Sequence, residues 1–427
     1  MAAQAPSRIA QLAATITKSV ARLDEIMSIN RLQEPSFDED APSVVFPKEA
    51  LEARDAILDA AAEVSDLLLD PPALLRKNGA HNNNVCLQAI ARFDMAGMVP
   101  SGGQMSFADM AAQTRLPEQM VRRLLRHAMT MRVFRETEPG MVAHTRASKA
   151  LAAPEMRDWL RVGTEEMWPS AVETINAMMK WPESSEPTET GFSLANGTTE
   201  SLYDVLGRDP ERAQRFANAM KMFATKPEHD AAYTTDHYDW ASLGQARVVD
   251  VGGARGHIAM ELAKRFDKLQ VVVQDMDKVI QGAEAGVPPQ LRGRVTFQGH
   301  DLFAPQTASA DVFFLRWILH NWSDKHCILI LRAQIPALKP GARIVIQDTC
   351  MPEPGSVALW RERELRSYDI DMAAVFNGRE RSVAEWKALL AEADPRFVLK
   401  TVTEPEGSAM AIFEVIFDGN YILSDGI

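Results

Sequence analysis

Residues 246–257, Ala246-Arg247-Val248-Val249-Asp250-Val251-Gly252-Gly253-Ala254-Arg255-Gly256-His257, restrict the fold more than any other stretch of the 427-residue chain. Val248 to Val251 is a short β-branched run, the glycine cluster follows at once, and Ile258-Ala259-Met260-Glu261-Leu262-Ala263 starts a helical pattern. This order predicts a strand, a tight turn and a helix. Glycines at 252, 253 and 256 permit positive φ and let backbone approach a ligand closely, while the helix start offers unpaired N–H groups. A nucleotide-like cofactor suits such a place. A dinucleotide does not, because G-x-G-x-x-G would need glycine where the chain has Ala254 and His257.

The elements that follow repeat the strand-to-loop pattern. Leu269 to Gln274 reads as a second strand ending in Asp275, 25 residues after Asp250. A carboxylate there can accept both hydroxyls of a ribose. Val295 to Gln298 reads as a third strand, running into Gly299-His300-Asp301-Leu302-Phe303. Asp311 to Leu315 reads as a fourth, running into Arg316-Trp317-Ile318-Leu319-His320-Asn321-Trp322-Ser323-Asp324. A fifth strand follows the turn Lys339-Pro340-Gly341 and ends near Asp348, and Asn377-Gly378-Arg379-Glu380-Arg381-Ser382 stands further on.

Asp250 to Gly256 resembles the D-x-G-x-x-x-G motif of class I S-adenosylmethionine (SAM)-dependent methyltransferases. Arg316 to Asp324 resembles the basic-Trp-x-x-His-Asp-Trp-Ser/Pro-Asp segment of plant and fungal small-molecule O-methyltransferases of the caffeate, flavonoid and sterigmatocystin type. Asn377 to Ser382 is similar to their Gly-Lys-Glu-Arg-Thr segment, and the resemblance spans most of residues 85–427. It implies an α/β fold, a Rossmann-like seven-stranded SAM-methyltransferase domain with an N-terminal all-α/winged-helix dimerisation domain. It also implies SAM as cofactor, S-adenosylhomocysteine (SAH) as product, a homodimer and no metal.

Carried over residue by residue, the resemblance puts the cofactor against Gly252, Gly253, Gly256, Asp275, Asp301, Leu302, Arg316 and Met220. It puts the substrate against Trp168, Phe216, Trp317, Asn321 and Asn377, and makes His320 the general base with Asp348 and Glu380 to orient its ring. The chain departs from plant members in having Arg316 for Lys, Asn321 for Asp, Asp348 for Glu, and Ala224 for a cofactor-contacting Ser.

Charge and composition narrow the class. A net charge of −12 argues against a general nucleic-acid or anionic-membrane binder. Three cysteines, Cys86, Cys327 and Cys350, without C-x-x-C spacing suit a reducing compartment, and Cys327 beside His326 lacks further ligands at zinc spacing. No run of 18 apolar residues and no signal-peptide pattern is present, so a soluble cytoplasmic protein is expected.

The N-terminal half reads as helices. Ile9, Leu12, Ile16, Val20, Leu23 and Ile26 form one stripe on a helix that Ser7 could cap. A polar, proline-bearing stretch from Arg31 to Lys48 separates it from a second helix that ends before Pro71-Pro72. A stripe with little core of its own points to a partner copy. From Val85 to Ala147 the pattern is winged-helix: helices at Met105 to Gln113 and Glu118 to Met131, then a hairpin around Pro139-Gly140. Arg122, Arg123 and Arg126, with nine Lys/Arg against five Asp/Glu in residues 81–150, raise a rival reading as a DNA-binding regulator. The expected layout is a helical dimerisation extension at 1–80, a winged-helix-like domain at 81–165, a helical connector at 166–240 and the methyltransferase domain at 241–427.

The expected reaction moves a methyl group from SAM to a phenolic hydroxyl of an aromatic, polyketide-type natural product. A neutral histidine with a pKa near ~6.5 facing a phenol near ~10 meets an uphill proton transfer of about 5 kcal/mol. Positioning can supply ~7–11 kcal/mol against it. Metal-dependent catechol methyltransferases are the nearest enzymatic alternative, but they are short single-domain chains with an Asp/Asn metal cluster. A SAM-binding pericyclase or dehydratase of the same fold is the third reading, and retention of His320 favours methyl transfer over it.

Overall fold

The computed structural model describes residues 5–419, which fall into two compact units. One gathers residues 5–169, 206–223 and 354–364; the other gathers 170–205, 224–353 and 365–419.

In the first unit the helices Arg8–Ile29 and Lys48–Leu67 pair along their apolar sides. Ser7 caps the former, its hydroxyl accepting the Ala10 N–H at 3.3 Å. Leu12, Ile26 and Met27 are buried in the pairing, whereas Ile9, Val20, Ile29, Leu58, Leu67 and Leu68 stay on the surface. Pro71 and Pro72 do more than end a helix. With Asp70 accepting the Ala73 N–H at 2.8 Å they open the next one, Pro71–Asn78, where a missing N–H costs nothing.

The stretch between the paired helices is fastened to residues 100–150. Asp38 meets Arg135 at 2.9 Å, Asp40 meets Lys149 at 2.5 Å, and Phe37 lies under Arg132 at 5.2 Å. Those residues form helices His81–Arg92, Phe107–Thr114 and Glu118–Thr130 and a three-stranded antiparallel sheet in the order Gln104–Ser106, Met141–Ala143, Arg135–Glu138. Met105, expected in a helix, lies in the first of these strands opposite Val142, because Ser106 caps the helix at Asp109 and stops it reaching back. Arg126 forks onto Glu136 at 2.8 and 2.9 Å, and Arg122 pairs with Glu118. Two of the three arginines behind the DNA-binding reading are thus held by carboxylates of their own chain.

The second unit is built on a seven-stranded sheet: β1 (Ala246–Val251), β2 (Leu269–Asp275), β3 (Val295–Gly299), β4 (Val312–Arg316), β5 (Arg343–Asp348), β6 (Phe397–Thr403) and β7 (Ala411–Phe417). The order is β3-β2-β1-β4-β5-β7-β6, parallel except for β7, which runs antiparallel to both neighbours. Central strands are buried on both faces, as their unbroken Val/Ile/Phe runs require, with Val249, Phe313 and Ile344 facing one core and Val248, Val271 and Phe314 the other. The order reverses between β1 and β4, which opens a crevice at the strands' carboxyl ends. Among the described residues no helix is long and apolar enough to cross a membrane.

Deleting residues 1–80 strips the cover from the segment carrying Arg132, Arg135 and Lys149 and removes the apolar face. The truncated protein should aggregate or lose its dimeric state in light scattering; a soluble, fully active monomer would refute that role for the helix pair.

Candidate active site

Every predicted site residue on the sheet stands at a carboxyl end. β1 ends in Asp250 and Val251, and Gly252 turns the chain with φ +74° while its N–H and that of Gly253 both donate to the Gln274 carbonyl, at 2.7 and 3.1 Å. Gly253 is required by space, since a Cβ there would lie 2.4 Å from Asp250 Oδ2. Gly256, at φ +76°, precedes the helix His257–Arg265 without a side-chain cap, so the first N–H groups of that helix are open to a ligand. Asp275 ties the turn down: Oδ2 accepts the Ala254 N–H at 2.9 Å and Oδ1 the Met276 N–H at 2.8 Å. A carboxylate has about four acceptor positions, so each oxygen retains capacity for a hydroxyl. Burial raises the Asp275 pKa, and the two N–H groups pull it back. The open helix start and this half-used carboxylate fit an adenosyl cofactor.

Asp301 follows β3. Its Oδ1 accepts the Phe303 N–H at 3.0 Å, the side chain is exposed, and Leu302 beside it is half-buried. His300 links this loop to β2, donating its N–H to the Asp275 carbonyl at 3.0 Å.

Between β1 and β5 lies a charge cluster. Asp250 is pushed up to about 7 by burial, against the pull of Arg316. Burial draws Arg316 down to about 10, while Asp250 and Asp348 oppose that fall. Arg316 donates Nη2 to the His229 carbonyl at 3.0 Å and lies 4.1 Å from the Trp317 ring, and its buried Nε has no partner.

His320 stands on a short turn. Trp317 leaves β4 at φ +55°, and a 3₁₀ turn, Leu319–Asn321, presents His320. His320 Nδ1 lies 2.9 Å from Glu380 Oε1. An ionised carboxylate only accepts, so Nδ1 carries a proton, and in the neutral ring Nε2 keeps its lone pair. Burial alone would lower the histidine's pKa, but the charge and hydrogen bond of Glu380, with Asp348, outweigh it and the pKa rises. Asp348, at the end of β5, is pushed up to about 7 by burial, with His320 and Arg381 acting the other way and Glu380 adding to the rise. Neither of its oxygens makes a hydrogen bond of ordinary geometry. Of the two carboxylates, Glu380 holds the ring and Asp348 stands off.

The remaining residues divide. Asn321 donates Nδ2 to the Trp317 carbonyl at 3.0 Å and stiffens the base turn. Asn377, at φ +54°, spends its amide N–H groups on the carbonyls of Glu186 and Glu189, at 2.7 and 3.1 Å, which leaves its own oxygen for a ligand. Trp168, Phe216 and Met220 belong to the first unit. There Trp168 opens the helix Trp168–Lys180 after a π-turn, while Phe216 is half-buried and Met220 exposed on the helix Pro210–Ala224.

Sequence reasoning missed Arg381. It is 1% exposed, bonds Asp324 Oδ1 through Nε and Nη2 at 2.9 and 2.7 Å, and donates to the carbonyls of Leu319 and Trp322 at 3.1 and 2.9 Å. An arginine next to the predicted Glu380 was the available signal. Gly378 lets this segment close in, because a Cβ there would lie 2.4 Å from the His320 carbonyl.

An O-methyltransferase domain model matches residues 182–395, and an O-methyltransferase dimerisation domain model matches residues 79–154. The chain is 43% identical to the O-methyltransferase PaMT of Phomopsis amygdali over 97% of its own length and 98% of that protein's. It is 35% identical to the chlorophenol O-methyltransferase of Trichoderma longibrachiatum over 97% and 91%. A solved structure described as a pericyclic reaction enzyme superposes with TM-score 0.69 at 22% identity, covering 95% of this chain and all of that one, a likeness of fold.

Asp275→Ala should leave the sheet intact and weaken SAM by roughly 2–4 kcal/mol, the loss of two hydrogen bonds to a charged acceptor. Isothermal calorimetry reads this directly, and unchanged affinity would remove Asp275 from the cofactor site.

Proposed function

The chain belongs to the O-methyltransferase family and is a SAM-dependent enzyme with a dimerisation domain, and on that premise we propose that it methylates a phenolic hydroxyl of an aromatic, polyketide-type natural product with His320 as general base. The observation that carries the base assignment is the 2.9 Å contact between His320 Nδ1 and Glu380, which leaves Nε2 as the ring nitrogen able to accept a proton. The chlorophenol-methylating relative supports a phenol as acceptor.

Bound SAM supplies an electrophilic methyl group and leaves as SAH. Gly252, Gly253, Gly256 and Asp275 would hold its adenosyl part, with Asp301 and Leu302 beside the purine. His320 takes the phenolic proton at Nε2 as the oxygen forms its bond to carbon, and Glu380 stabilises the imidazolium that results. The raised pKa of His320 narrows the ~3.5-unit gap to a phenol, so less of the ~5 kcal/mol has to come from positioning. The same rise has a limit, because a base already protonated at working pH is idle.

The fold is shared with the pericyclic enzyme, so mass analysis of product decides between readings: one added methyl per turnover supports transfer, and an isomer of unchanged mass overturns it. Our reading also places the enzyme in the cytoplasm, which suits its three free cysteines.

His320→Ala should lower kcat by about 10²- to 10⁴-fold with SAM affinity near wild type. In the wild type, kcat/KM should fall as pH drops through the histidine's pKa, with a midpoint above the ordinary ~6.5. Glu380→Gln removes the group that raises it, so the midpoint should move to lower pH. A His320→Ala enzyme keeping more than about a tenth of its activity with the same pH profile would exclude this base.

A further inference from the structure

Beneath the loop that follows β3, three glutamines form a buried chain of amides. Gln274 is 1% exposed, Gln306 3% and Gln334 0%. Gln274 and Gln306 exchange a reciprocal pair of hydrogen bonds, Nε2 to Oε1 in each direction, at 2.9 and 2.7 Å. Gln274 Nε2 also donates to Gln298 Oε1 at 3.1 Å, Gln306 Nε2 to Gln334 Oε1 at 3.1 Å, and Gln334 Nε2 to the Ile330 carbonyl at 3.0 Å. Gln306 Oε1 accepts the Ala308 N–H as well, at 3.0 Å, and the Gln306 N–H donates to the Ala333 carbonyl at 2.8 Å. Both amide hydrogens and the oxygen of Gln306 are therefore used, the condition under which a buried polar network rigidifies rather than weakens its surroundings.

The three residues belong to three different elements of the unit. Gln274 precedes Asp275, and its carbonyl holds the N–H groups of Gly252 and Gly253. Gln306 closes the loop that His300 opens and that carries Asp301 and Leu302. Gln334 ends the helix Asp324–Gln334, whose first turn is gripped by Arg381 beside the base turn.

We propose that Gln306 is a positioning residue for the adenosyl end of the cofactor: its carboxamide fixes the 300–306 loop against Gln274 and so sets where Asp301 and Leu302 meet the purine. The inference rests on the cofactor reading above. An apolar side chain at 306 leaves the amides of Gln274 and Gln334 with unmatched buried atoms, and the loop relaxes toward water to satisfy them.

In the full-length enzyme Gln306→Leu weakens SAH by about tenfold in calorimetry, the scale of one or two lost buried hydrogen bonds. It weakens 5′-methylthioadenosine, which lacks the amino-acid end, by the same factor. It also raises KM for SAM while kcat at saturating SAM stays within about twofold of wild type, the split expected when only binding is lost. A variant that melts lower yet binds SAH within about twofold of wild type makes the amide chain a matter of packing alone and overturns the proposal. An equal fall in kcat at saturating SAM overturns it too. Should Gln306→Leu fail to fold, Gln334→Leu, which removes the end of the chain, is judged by the same outcomes. Loss of SAH binding in Asp275→Ala but not in the glutamine variant sinks this inference and leaves the cofactor reading standing.

Discussion

The site depends on one buried guanidinium. Taking a charge out of water costs several kcal/mol, and Arg381 recovers this only because Asp324 and the carbonyls of Leu319 and Trp322 meet its fork. Those carbonyls flank the turn that carries His320. The neighbouring Glu380 bonds the ring itself, so two consecutive residues set both the place of His320 and its orientation. Helix formation cannot do this work, because the segment is a single 3₁₀ turn with no ladder of its own. Lysine at 381 would keep the charge and lose the fork.

How much of this was legible in the sequence follows the range of each interaction. The strands, the glycine turn and the acids at strand ends were readable because each is local: β-branched runs, positive-φ glycines, a carboxylate after an apolar stretch. The helix cap at Ser106 was local as well, but apolar spacing around Met105 masked it. Arg381 was visible only as the neighbour of Glu380, and its role was not, since its partners are carbonyls some sixty residues away. Nor does sequence tell whether a carboxylate reaches its partner. Asp348 and Glu380 were both assigned to the His320 ring, Asp348 with a shorter side chain than the Glu of plant members, and the geometry shows that Glu380 is the one that bonds it. Asn377 likewise looked free for substrate, and its donors are spent on a neighbouring loop.

The electrostatics of the crevice follow from poor solvation. Asp250 and Asp348, both raised to about 7, stand near an arginine lowered to about 10. An acid with a raised pKa favours the folded state most below its unfolded value near ~3.9 and loses that contribution as pH rises through 7. A cation bound beside them would oppose the rise in pKa by favouring the ionised form of both.

Three residues around the site, Ala254, Trp317 and Asn377, are not glycine yet hold φ of +49°, +55° and +54°. Left-handed backbone costs an ordinary residue about 1–2 kcal/mol. Ala254 is where the glycine turn meets Asp275, Trp317 is where β4 gives way to the His320 turn, and Asn377 is where the Glu380 segment begins. Glycine at these positions would relieve the strain and keep the bends, but at 317 and 377 it would remove the indole beside Arg316 and the amide that holds the 186–189 loop.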